Sequence, residues 1–195
     1  MQSESYFYKD DLSKAIKTLK KYDKLDYWKN DKSYYLLEKT LFFGFFVIRK
    51  LIENKKITDE EITRDYKCKY YKILSEKIIH RMNKWDIDKN FELGKQNIET
   101  MKISEICNQF IHSYVFMLVL SSRGRMRNIF VSSDFQRNKK VYLFNIKDVV
   151  RIFRNIALDI VVTGKAEWDE EKKDYRVKNS KTKDASSKIV MTKEK

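Results

Sequence analysis

The sequence predicts an α+β protein: an N-terminal helical bundle of four or so helices, then a small antiparallel β element and one amphipathic helix at the C-terminal end. Three observations predict it. The 195 residues contain no proline and only 4 glycines, so helices meet few internal breakers. Up to about residue 120 most apolar residues recur at helical spacing. Beyond that point, short runs of β-branched and aromatic residues alternate with polar turns. The organisation read from this is a bundle over residues 1–120, β-hairpins and a helix packed on it over 121–179, and a disordered basic tail over 180–195.

The first helix is carried by "DDLSKAIKTLKKY", where Leu12, Ala15, Ile16 and Leu19 recur at i, i+3, i+4 and i+7 behind an aspartate able to cap its start. A longer helix from about Tyr34 to Asn54 holds "LFFGFFVI" and is apolar around its circumference, as the central helix of a bundle would be. "TDEE" reads as a capping box between Thr58 and Glu61 and opens a third segment. "YKCKYYKIL" is ambiguous: Tyr66, Cys68 and Tyr70 alternate like a strand, while Ile73, Leu74, Ile78 and Ile79 follow helical spacing. "NKWDIDKNFELGKQNIET" has little periodicity and reads as a connecting loop. A helix over residues 103–114 follows.

The runs "NIFVSS" and "VYLFNI" then read as short strands joined by "DFQRNKK". "NIKDVVRIFRNIAL" is an amphipathic helix capped by Asn145, with Ile146, Val149, Val150, Phe153 and Ile156 on one face and Lys147, Arg151 and Arg154 opposite. "KAEW" and "YRVK" alternate around "DEEKKD" as a hairpin that places Ala166, Trp168, Tyr175 and Val177 on one side.

Net charge is +14 and the pI is near 9.5, which favours polyanionic partners, nucleic acid foremost. A lysine-, asparagine- and isoleucine-rich composition of AT-rich coding origin accounts for the same charge without any function. Cys68 and Cys107 lack metal-ligand spacing and read as reduced thiols of a cytoplasmic protein, so neither a metal nor another cofactor is expected. The N-terminus has no signal-peptide pattern, and the eight-residue apolar run is far short of the ~20 residues a membrane helix needs, so no membrane partner is expected.

The candidate chemistry lies in "CNQFIH", residues 107–112. On a helix Glu105, Asn108 and His112 form a narrow polar stripe beside a broad apolar face, with Asn108 and His112 one turn apart. "NQFIH" resembles the Asn-x-x-x-His portion of the motif of the HEPN superfamily, whose members are helical bundles, often dimeric, and in many cases ribonucleases of toxin–antitoxin, CRISPR or antiphage systems. Asn108 and His112 match the asparagine and histidine positions; the motif's arginine falls on Cys107. The resemblance spans residues 1–120. It implies a homodimer, metal-independent endoribonuclease activity or a degenerate RNA-binding descendant, and a protein partner in a defence complex.

Metal-free RNA cleavage needs a base for the 2′-hydroxyl, an acid for the leaving oxygen and support for the charged phosphorane. His112 is the candidate acid–base group, since imidazole titrates near neutral pH, and Asn108 its phosphate- or ribose-orienting helper. The missing guanidinium must come from elsewhere, with Arg81, Arg123 or Arg125 as candidates. Arg123, Arg125, Arg127, Arg137, Lys139 and Lys140 are the candidate RNA-backbone contacts, three of them in alternation in "SSRGRMRN". The competing reading is a noncatalytic interaction subunit whose broad apolar helix faces and β-hairpins dock a larger protein partner, with the charge serving solubility or a loose RNA contact. Asn108 and His112 then fix helix register, and the arginine-rich turn protects an edge strand.

Overall fold

The computed structural model describes residues 4–24, 31–122 and 125–181. Arg123 and most of the expected tail, residues 182–195, lie outside them. In chain order the elements are α1 (Glu4–Lys24), α2 (Asp31–Glu53), α3 (Asp59–Thr63), β1 (Tyr66–Lys72), α4 (Ile87–Asn90), β2 (Asn97–Met101), α5 (Ile103–Ile111), β3 (Ser113–Leu120), β4 (Met126–Ser133), β5 (Lys140–Asn145), α6 (Ile146–Leu158), β6 (Thr163–Asp169) and β7 (Asp174–Ser180).

The expectation of a helical bundle with a small β element is corrected. The described residues are about 44% helix and 30% strand. Five of the strands form one antiparallel sheet in the order β2-β1-β5-β4-β3, and β6 and β7 form a separate hairpin. Three of the five sheet strands precede residue 120. In "YKCKYYK" alternation prevails: Tyr66 and Cys68 enter the core on one face of the sheet and Tyr71 the core on the other. The run "SYVFMLVL" is apolar from Val115 onward because a strand flanked by cores on both faces needs no polar alternation, and such a run cannot be told from buried helix by periodicity.

The sheet is covered on both faces. The larger core joins α1, α2, α5 and α6 to Tyr66, Cys68, Leu118, Ile129, Val131, Tyr142 and Phe144. The smaller core lies on the opposite face, where Ile79, Ile87 and Phe91 of the β1–β2 connection pack on Tyr71, Val115, Phe130 and Val141. This explains the weak periodicity of that connection: three apolar residues suffice to cover a patch, and the backbone between them is held by turns. Asn138 accepts from the Ile79 amide at 2.8 Å, and the Asn90 side chain donates to the Asn83 carbonyl at 2.6 Å.

α2 is not apolar on all sides in effect. Leu37, Leu41, Phe45, Val47, Ile48 and Leu51 are buried, while Phe43 and Phe46 remain about half exposed, 48% and 45%. Gly44 permits the close crossing of α2 and α6, since a Cβ there would lie 2.3 Å from the Phe153 ring. Thr58 does not form the expected capping box. Its hydroxyl and amide both donate to the carboxylate of Asp159, at 2.9 and 2.7 Å, and Asp159 is fully buried. Lys181 reaches both Asp159 and Glu61, and Asn179 donates to the carbonyls of Lys55 and Ile57. These polar contacts fasten the otherwise exposed β6–β7 hairpin to α3, to the turn before it and to the residue after α6. Within it Trp168 and Tyr175 pair edge to face at 5.1 Å, on the side the alternation places them.

Asn145 caps α6 as its sequence predicts, accepting from the Lys147 amide at 2.9 Å. α1 runs antiparallel to α6: Lys9 near the start of α1 donates to the carbonyl of Asp159 just past the end of α6, and Lys20 and Asp23 lie beside Ile146 and Lys147 at its beginning.

Candidate functional site

The site is built on α5, which is shorter than its spacing suggests. The helix stops at Ile111, and His112 is its C-cap residue at the turn into β3. Ile103, Ile106, Cys107 and Phe110 are fully buried. Glu105, Asn108 and His112 are exposed along the other side. Position 107 therefore points into the core, where burial pushes the Cys107 thiol up to about 12. An arginine there would carry an unpaired charge into apolar surroundings.

A guanidinium nevertheless reaches the stripe. Phe45 of α2 and Phe110 of α5 stack with centroids 3.9 Å apart and planes 16° from parallel, which docks the two helices. One turn beyond Phe45, Arg49 donates from Nη1 to Asn108 Oδ1 at 2.7 Å and from Nε to Glu53 at 2.8 Å. With its oxygen taken by an obligate donor, the Asn108 carboxamide keeps its NH₂ group for other acceptors. Asn108 is thus set up as a donor toward an anion.

His112 and Asn108 open on one cleft of about 800 Å³ between α5, the β2 and β5 strands, and the β4–β5 turn. Its floor carries Glu99, Lys140 and Tyr142. Tyr142 donates its hydroxyl to one oxygen of Glu99 and Lys140 donates to the other, while the Lys140 ammonium lies 4.7 Å from the Tyr70 ring centroid. Burial, followed by the bond to Glu99, pushes the Tyr142 phenol up, so it stays protonated and acts as a donor. Gln109 is buried and accepts from the Ser133 amide at 3.0 Å, tying α5 to the β4–β5 turn. The Asp134 amide donates to the His112 carbonyl at 3.0 Å, which fixes the turn beside the imidazole. Phe135 stands at the cleft, 78% exposed, under the Lys139 ammonium.

The three carboxylates of the cleft already have partners. Glu99 holds Lys140 and Tyr142, Asp134 pairs with Arg137 at 3.2 Å, and Glu105 accepts from the Lys102 amide at 2.6 Å. Arg137 and Lys140 balance the charges of Asp134 and Glu99, while Glu105, held by a backbone amide alone, keeps its negative charge at the start of the stripe.

The expected backbone contacts divide into two groups. Lys140 lines the cleft, and Arg137 and Lys139 belong to the turn beside it, although the Arg137 guanidinium lies over the Tyr114 ring at 3.9 Å. Arg125 and Arg127 lie at the far end of β4, roughly 20 Å away at strand rise. There the Ser121 amide donates to the Arg125 carbonyl at 2.8 Å, closing the β3–β4 turn, and Arg127 pairs with Asp23 of α1 at 3.2 Å. Neither reaches the end of the strand where His112 lies, and Arg81 is exposed on the β1–β2 connection, where among the described residues no hydrogen bond or ion pair links it to the stripe. The residues that sequence reasoning missed are Arg49, Glu99, Tyr142 and Phe135. Arg49 alone left a trace, as the first charge after an eight-residue apolar run.

Among the described residues no group of three or more His, Cys, Asp or Glu side chains is placed to hold a metal ion, and no helix is long and apolar enough to cross a membrane. Comparison with family models, curated proteins and solved structures found none that matches this chain.

Proposed function

We propose that this protein acts on RNA as a metal-independent endoribonuclease, with the cleft under α5 as its active site. The observation that carries the reading is the Arg49–Asn108 contact at 2.7 Å beside an exposed His112 on one open cleft. Glu105 and His112 stand seven residues apart, roughly 10 Å along the helix axis, with Asn108 between them. A scissile phosphodiester over Asn108 has a carboxylate on one side and an imidazole on the other.

In this scheme Glu105 takes the proton of the ribose 2′-hydroxyl, and the 2′-oxygen forms a bond to phosphorus. The bond from phosphorus to the 5′-oxygen breaks, and protonated His112 supplies the proton that oxygen needs. The products are a 2′,3′-cyclic phosphate and a 5′-hydroxyl end. The Asn108 NH₂ group donates to a non-bridging oxygen as charge builds on the phosphorane. The exposed Phe135 ring offers a stacking surface for a neighbouring base.

Labelled RNA incubated with the protein in excess EDTA tests the scheme. Cleavage should leave cyclic phosphate ends, and His112→Ala should slow it by about 10²–10⁴-fold. Ends bearing a 5′-phosphate, or a rate equal to wild type in His112→Ala, would overturn it. A second reading, a noncatalytic interaction subunit, is favoured by one feature. Among the described residues only β4 pairs with β3, so an eight-residue strand without a single charge has a bare edge. That reading prevails if RNA stays intact at every pH and salt concentration while Met117→Lys, on that edge, breaks a stable complex.

A further inference from the structure

A second cleft, of about 450 Å³, lies between α1 and α6 at the opposite end of β5 from the His112 cleft. Its walls carry Lys20 from α1 and Lys147, Arg151 and Arg154 from α6, and its floor is Ile146 and Val150, both buried. On α6 these cations fall at i, i+4 and i+7, one continuous stripe facing the C-terminal half of α1.

The charge balance of this cleft is one-sided. Its one carboxylate, Asp23, is held by Arg127 from β4 at 3.2 Å. Arg151 pairs with Asp148 at 2.9 Å. Among the described residues no ion pair takes up Lys20, Lys147 or Arg154. Three like charges brought to one recess repel one another, and nothing in the fold requires them there: the apolar side of α6 is already complete through Val149, Ile152, Phe153 and Ile156. The amino end of the thirteen-residue α6, with its positive dipole end, opens at the same place.

We propose that the α1/α6 cleft is a second binding site, distinct from the His112 cleft, for the phosphodiester backbone of single-stranded RNA. Phosphates meet the cationic walls, and sugar or base edges lie against Ile146 and Val150. A recess between two helices admits a strand, whereas a flat bilayer surface reaches only its rims. Arg127, expected from sequence as a backbone contact, belongs here through Asp23. The choice of RNA rests on the proposed function; the preference for a phosphodiester anion rests on this cleft.

The test uses the full-length protein and a fluorescein-labelled 2′-O-methyl oligouridylate, which lacks the attacking hydroxyl, titrated by anisotropy in EDTA over a range of NaCl concentrations. Single-strand binding loses affinity with salt in proportion to the phosphates neutralised. The triple variant Lys20→Gln, Lys147→Gln, Arg154→Gln should bind at least 10-fold more weakly near 0.1 M salt, with a log–log salt slope shallower by about 2. A control triple on the C-terminal hairpin, Lys165→Gln, Lys172→Gln, Lys178→Gln, removes equal charge elsewhere and should change affinity less than 3-fold. Near-wild-type binding and slope in the first triple, equal losses in both triples, or no binding by the wild type would each overturn the site. So would a first triple that loses binding to phosphatidylserine-containing vesicles while keeping its hold on RNA. A His112→Ala arm separates the two readings. If that variant still cleaves, the active-site assignment fails while the binding site stands; if the first triple binds normally and the wild type cleaves, the reverse holds.

Discussion

At the scale of single residues, the central fact is that Arg49 occupies the Asn108 carboxamide oxygen, while among the described residues no hydrogen bond takes its amide hydrogens. This separates a chemical role from a structural one in a single substitution. In Asn108→Asp the carboxylate still accepts from Arg49, now as an ion pair, but has no hydrogen to give and repels phosphate. Thermal stability should stay level or rise, while RNA cleavage should fall by about 10²-fold, the cost of removing one donor to a developing oxyanion. A parallel fall in melting temperature and activity would instead identify Asn108 as a helix-docking residue. Half of this site is legible in "NQFIH", because one helical turn separates Asn108 from His112 in any helix. Arg49 is not, since it lies 59 positions from Asn108 in the chain and only the packing of α2 on α5, with the Phe45–Phe110 stack within it, brings them together.

At the scale of elements, helices with strong apolar periodicity and a cap behave as their sequences predict. α6 is the clearest case, from Asn145 to the buried face. Strands in the interior are harder to read, because burial on both faces removes the alternation that marks a strand. β3 is apolar at every position after Tyr114 and follows directly on the apolar face of α5; what ends one and starts the other is the turn at His112, held by Asp134 and Gln109. The crossing of α2 over α6 gives an element-scale prediction. Gly44→Ala should raise helix propensity by about 1 kcal/mol in isolation, yet destabilise the protein by about 1–3 kcal/mol, since the methyl group strikes the Phe153 ring. Denaturant unfolding measures the sign, and Phe153→Leu in the Gly44→Ala background should recover part of the loss.

At the scale of the whole molecule, the buried thiols and phenol set the response to alkali. Burial raises Cys68 and Cys107 from an ordinary value of 9.0 to about 12, and Tyr142 is raised as well, by burial and by Glu99. A folded-state value above the unfolded one means the folded protein binds more protons between the two. The stabilisation is therefore complete below pH 9 and is lost as pH rises through 12. Unfolding free energy should decline steeply across that window, and less steeply in Cys107→Ala after allowance for its cavity. A flat profile from pH 9 to 11 would contradict the burial of these groups. Both thiols should also resist alkylation at pH 8 until the protein is unfolded.

By itself the sequence determined the helical pattern of α1, α2 and α6, the C-terminal hairpin register, the polar stripe on α5 and the excess positive charge. All are local properties, set by spacings of one to eight residues or by composition. Tertiary structure alone decided that a five-stranded sheet, not a bundle, forms the centre, that the Arg49 guanidinium reaches Asn108 from another helix, and that the cations divide between two clefts at opposite ends of β5. The physical reason is common to all three. Strand partners, cross-element hydrogen bonds and charge clusters are chosen by packing between segments far apart in the chain, and the free energy that selects them is spread over the contacts of the whole core.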